Sequence, residues 1–133
     1  MMSSERLSHA WSIHYGTDGR ESIQSADGLL SILDGLSRRR PPLAVSLISP
    51  SAKTLVLGVG RKDSVVLFQA SDDPPYFQSI GDRHCRGVIL FDYGDQQTEF
   101  AQGAAVAYPA ALRAAVEFFS TEERPTCLDW EEV

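Results

Sequence analysis

His84 and Cys85, adjacent in "DRHCRG" and flanked by Arg83 and Arg86, are the pair in this sequence most suited to nucleophilic chemistry. A thiol becomes a nucleophile when a base lies within reach, and basic neighbours lower its pKa. Adjacent residues of an extended chain point to opposite sides, however, which sets this pair against acting as a dyad. The other histidines, His9 and His14, fall far upstream on an expected strand. In "LGVGRKDS", Gly58, Gly60 and Lys62 follow a strand as they would in a phosphate-binding loop. The GK[ST] step is missing, and a strand follows where a helix N-terminus would be needed, so a hairpin turn is expected. His9, His14, His84, Cys85 and Cys127 lack the close paired spacing of zinc ligands. Asp72 with Asp73, or Asp92 with Asp95, could serve acid–base work or a cation, but simple surface solvation is the expected role. The expectation is of no catalytic residue, no metal site and no cofactor.

The bulk numbers suit a binding protein as well as an enzyme. The 133 residues are 43% hydrophobic and 23% charged, as in ordinary globular proteins, and residues 1–133 are expected to form a single domain. No stretch reaches the ~18 apolar residues of a membrane span, and the N-terminal "MMSSERLSHAW" has no apolar signal region. Two cysteines without a disulfide framework suit the cytoplasm. The net charge of −6 is unevenly spread. Residues 1–60 carry six basic and five acidic side chains, a balance of +1, whereas residues 61–133 carry six and thirteen, a balance of −7. That acidity argues against a nucleic-acid or anionic-membrane partner; it permits a basic protein partner and equally serves mere solubility.

These residues must be positioned by an alternation of short elements. Trp11, Ile13 and Tyr15 share one face of a strand expected over 9–15. "GTDGRES" breaks the chain. Ala26, Leu29, Leu30, Leu33 and Leu36 recur at helical spacing behind a Ser25 N-cap, and Pro41–Pro42 closes the helix. Strands are expected at 43–49, 54–60 and 64–70, joined by hairpin-length turns, then at 87–93 and over "TEFA". Residues 71–86, rich in Pro, Gly and acids, are expected to form a long functional loop. A second helix has Pro109 in its first turn and a stripe of Leu112, Ala115, Val116 and Phe119, and a last strand carries Trp130. The fold class is α+β: a mostly antiparallel sheet of about six to seven strands with two helices on one face.

Gly58-Val59-Gly60 with Asp63-Ser64, Tyr76 with Gly81, and above all "ALRAAVEFFSTEERPTCLDWEEV" resemble a known group. The chain is similar to the small α+β immunity-protein family, number one in the usual naming, of bacterial polymorphic toxin systems. Actinobacterial members end in such a helix, an Arg-Pro and a Trp-bearing strand. The family often has Gly before Arg-Pro, where this chain has Glu122-Glu123. The resemblance implies a cytoplasmic antitoxin that binds a cognate toxin one to one. Family partners are often nucleic-acid deaminases. The chain lacks the H-x-E and P-C-x-x-C pieces of a zinc deaminase, which marks it as the inhibitor.

A small cytosolic enzyme using Cys85 and His84, or an adaptor without a toxin, are the alternatives. For the antitoxin, two acidic, aromatic-bearing segments are the expected partner-binding residues: Asp72, Asp73, Tyr76 and Phe77, then Asp92, Tyr93, Asp95 and Glu99. Tyr and Phe anchor interfaces while charges steer association.

Overall fold

The computed structural model describes residues 10–133, so His9 lies outside the described residues. The chain runs β1 (Ser12–Tyr15), β2 (Gly19–Ser22), α1 (Ala26–Ser37), β3 (Leu43–Ile48), β4 (Thr54–Val59), β5 (Asp63–Ser64), β6 (Val66–Gln69) and β7 (Tyr76–Ser79). It continues through β8 (Val88–Tyr93), β9 (Gln96–Ala101), a 3-10 turn (Gln102–Ala104), β10 (Val106–Ala107), α2 (Tyr108–Thr121) and β11 (Trp130–Glu132). The result is an α+β fold with, among the described residues, two α-helices and a large, mostly antiparallel sheet of order β11-β7-β6-β4-β3-β1-β2. The hairpin β8–β9 joins this sheet through one parallel pair, Leu43 with Asp92.

Three strands lie outside the expected ones: the two-residue β10, which pairs with β5, and two four-residue strands. β2 lies in "GRES", expected only to break the chain, and β7 lies inside the 71–86 segment expected to be a loop. Neither has strong apolar alternation. Pairing supplies what composition lacks: β2 is zipped to β1 from Ser12–Ser22 to Tyr15–Gly19, and β7 is held between β6 and β11.

Period-two alternation sorts the central strands into two faces. On one, Val45, Leu47, Leu55, Leu57, Val66 and Phe68 meet Leu29, Leu33 and Leu36 of α1 and Ala111, Ala115 and Phe118 of α2. Phe118 packs edge-on to Trp11 at 5.1 Å and to Phe68 at 5.8 Å. The fully buried stripe of α2 is Ala111, Ala114, Ala115 and Phe118, so the expected stripe is turned. Alanines let the helix lie close to the sheet, and Leu112, Val116 and Phe119 remain half-buried at its flank. The cap on α1 is as expected: Ser25 Oγ accepts from the Gly28 N–H at 3.0 Å.

The other face is covered in part by β8–β9. Ile89 and Phe91 pack with Ala44, Val56, Val65 and Ala104, with Leu67 and Phe100 at the border. Gly58 is needed here because a Cβ would lie 2.4 Å from Phe91 Cζ. The hairpin turns through Gly94 and Asp95, with φ of 60° and 65°, the two left-handed residues of a type I′ turn.

The last segment is fastened to α2. Glu122 caps the helix at φ 58°, the left-handed position where glycine is usual. Its carboxylate accepts from the Ser51 N–H at 3.0 Å and from the Ser51 hydroxyl, while Lys53 donates to the Glu122 carbonyl at 3.2 Å. These contacts offset the ~1–2 kcal/mol cost of that conformation in a residue with a side chain. Glu117 then accepts from Thr126 N–H at 2.7 Å, Thr126 Oγ1 at 2.8 Å and Cys127 N–H at 3.2 Å. Trp130 sits half-buried on the helix side, its Nε1 donating to the Pro125 carbonyl at 2.7 Å.

Candidate interaction surface

Strand geometry separates the residues that the sequence groups together. In β7, Phe77 lies opposite Phe68 and faces the helix side, where the Arg124 guanidinium covers its ring at 4.2 Å. Tyr76 lies opposite Gln69 and faces the hairpin side. Its hydroxyl donates to the Asp72 carbonyl, and the Asp73 N–H is held by Ser71 Oγ at 3.1 Å. The Asp72 and Asp73 carboxylates are left exposed.

The second segment is also split. Tyr93 turns back toward the sheet, its hydroxyl 3.4 Å from Ser46 Oγ. Asp92, and Glu99 opposite Leu90, belong to the alternate, outward positions of the hairpin. Asp95 accepts from Thr17 Oγ1, which ties the hairpin tip to the β1–β2 turn. Asp92 and Asp95 share a cleft of about 130 Å³ with Arg39 and Arg40. The segments lie at opposite ends of the strands. Asp92 is level with Leu43, whereas Tyr76 is level with Gln69, Thr54 and so Ile48. Five residue steps along β3 separate those levels by roughly 17 Å. Each segment is therefore a surface of its own.

The groups suited to catalysis stay apart. The His84 N–H donates to Asp82 Oδ1 at 3.0 Å and the Cys85 N–H to the Asp82 carbonyl at 2.9 Å, so both form a turn with exposed side chains. Burial, then the hydrogen-bonded Glu117 carboxylate, pushes the Cys127 thiol pKa up, away from thiolate character. A pair that the sequence did not single out is Ser12 and His14, with Oγ and Nε2 3.2 Å apart on the hairpin side of β1. Their position opposite Trp11, Ile13 and Tyr15 in the alternation was the available signal. They line a cleft of about 330 Å³ with Arg20 and Ser22. Desolvation, then Arg20, lowers the pKa of His14. No carboxylate orients its ring among the hydrogen bonds of the described residues, so the third member of a Ser–His–acid arrangement is lacking there. Among the described residues no group of three His, Cys, Asp or Glu side chains could hold a metal ion. No described helix is long and apolar enough to cross a membrane.

The fold is that of a small α+β protein. The model of the family described as Immunity protein Imm1 matches residues 18–132, and the chain belongs to that family. Its role is accordingly that of an immunity protein, an antitoxin that binds a cognate toxin. No curated protein matches the chain.

Proposed function

We infer that this immunity protein neutralises a toxin that acts on nucleic acid, a nucleobase deaminase, by one-to-one binding in the cytoplasm that covers the toxin's substrate cleft. It does so without turnover. The observation that carries this is the charge distribution: residues 61–133 hold thirteen acidic and six basic side chains, so the half that forms β7, the hairpin and β11 is strongly acidic. A toxin that grips a phosphate backbone needs a basic cleft, and an acidic inhibitor is steered into it. The docking residues are Asp72, Asp73, Tyr76 and Phe77 at one end of the strands and Asp92, Tyr93, Asp95 and Glu99 at the other.

The test uses the toxin domain encoded beside this gene. An equimolar amount of the immunity protein should abolish its release of ammonia from single-stranded nucleic acid, and a toxin without deaminase activity would refute that target. Asp72→Lys with Asp73→Lys, or Asp95→Lys with Glu99→Lys, should slow association about tenfold at low salt and flatten its salt dependence. Unchanged rates in both double variants would move the interface off these residues.

A further inference from the structure

β11 is the last strand of the sheet. Its inner edge is filled. The Asp129 carbonyl accepts from the Ile80 N–H at 3.0 Å, the Val133 N–H donates to the Tyr76 carbonyl at 2.8 Å, and Glu131 lies opposite Gln78 between them. Alternate residues of an antiparallel ladder turn their N–H and C=O groups to opposite sides. Trp130 and Glu132 therefore point theirs away from β7, and no backbone group among the described residues meets them. Exposed edges of this kind pair with any available strand unless something prevents it.

What borders this edge selects its partner. Asp129, Glu131 and Glu132 are exposed along it, and Asp72 and Asp73 lie just before the start of β7, where Tyr76 pairs with the end of β11. The ion partner of Glu131 is Arg83, at 3.8 Å, and Glu132 has none among the described residues. A second copy approaching edge to edge would set glutamates against glutamates, which disfavours self-pairing. A cationic strand meets opposite charge. The edge is also held ready: Trp130 is fixed through its indole N–H to the Pro125 carbonyl, and Glu117 clamps the preceding residues to α2.

We propose that β11 is the docking edge for an extended basic segment of the cognate toxin, which adds to this sheet as a further strand. The proposal rests on the antitoxin role. Backbone pairing supplies affinity that does not depend on the toxin's side chains, and the carboxylates supply the choice of partner.

The decisive variant is Glu132→Pro, which deletes an outward N–H and leaves the bonds of Asp129 and Val133 to β7 in place. Its control is Glu132→Gln, which keeps that N–H. The probe is the toxin domain encoded beside this gene. In the wild-type complex, amide exchange at Trp130 and Glu132 should slow at least about tenfold. Glu132→Pro should weaken binding by about tenfold or more, and Glu132→Gln by no more than about threefold, with the unfolding midpoint of each free variant near that of the wild type. Should Glu132→Pro lower that midpoint, the wild-type exchange result decides alone. Unchanged exchange at both amides, or full affinity in a folded Glu132→Pro variant, overturns the docking edge while leaving the antitoxin role intact. A free chain that forms dimers with those amides protected also overturns it, by giving the edge to a second copy. A wild-type chain that does not bind the toxin domain overturns the antitoxin role for that pair, and the proposal with it.

Discussion

The two faces of the central sheet are built to different depths. The helix side packs Leu, Val and aromatic side chains of β3, β4 and β6 under α1 and α2, with Phe118 held edge-on by Trp11 and Phe68. The hairpin side rests on a small set, Ala44, Val56, Val65, Ile89, Phe91 and Ala104. Its coverage is partial, for Ser12, His14, Arg20 and Ser22 line an open cleft on the same face. The two sides divide the labour. A deep core on one side leaves the other side thin, with polar positions and strand ends that are available to a partner.

Removing the centre of the deep side tests this most severely. Phe118→Ala should cost about 3–5 kcal/mol, because the side chain is fully buried among aromatic neighbours that cannot close the gap. That is a large part of a typical stability of roughly 5–15 kcal/mol. Denaturant unfolding with an unchanged slope and a much lower midpoint is the expected result. A loss below about 1 kcal/mol would show that the helix side is not the dominant core.

The hairpin side should respond less. Gly58→Ala places a methyl carbon 2.4 Å from the Phe91 ring, so the ring and the hairpin must shift. We expect a loss of about 1–3 kcal/mol, the usual range for overpacking, with exchange of the β8–β9 amides raised more than that of α1 or α2. If Gly58→Ala destabilises as much as Phe118→Ala, the two sides are equal partners and the comparison breaks.

The same asymmetry governs what the sequence reveals. The helix side was legible because its signals are periodic: Leu29, Leu33 and Leu36 at helical spacing, and Val45, Leu47, Leu55 and Leu57 at strand spacing. The hairpin side was legible in part, since "GVILFDY" reads as a strand, but its contacts were not. Gly58 serves Phe91, thirty-three positions away in the chain, and no local pattern encodes that meeting. β7 was hidden because Pro74, Pro75 and the acids before it read as a loop, and only its pairing with β6 and β11 makes it a strand. That omission reached the interaction surface. Tyr76 and Phe77 look like one aromatic pair in a loop, but in a strand they belong to opposite faces. The αL position of Glu122 was hidden for the opposite reason: a residue unsuited to it is held there by Ser51 and Lys53, which are distant in sequence.

The smallest expected effect concerns the clamp that joins β11 to the deep side. The Glu117 pKa lies below its ordinary value of 4.5, chiefly because the Thr126 N–H donates to the carboxylate; desolvation opposes this, and the Thr126 hydroxyl and Cys127 add to the lowering. A carboxylate with a depressed folded-state pKa contributes stability that is fully present above its unfolded value and is lost as pH falls through the folded value. The contribution of the clamp is therefore intact at neutral pH and disappears on acidification below about pH 4.5. Glu117→Gln keeps the side-chain carbonyl as an acceptor and removes the charge. It should cost no more than about 1 kcal/mol near neutral pH, since the group is close to solvent and its charge is screened. The gap between wild type and Glu117→Gln in urea midpoint should shrink as pH falls, while the similarly depressed Glu122 continues to titrate in both proteins. A constant gap across the acid range would mean that the clamp works by shape and not by charge, and that β11 is held to α2 mainly through Trp130 and the buried Pro125.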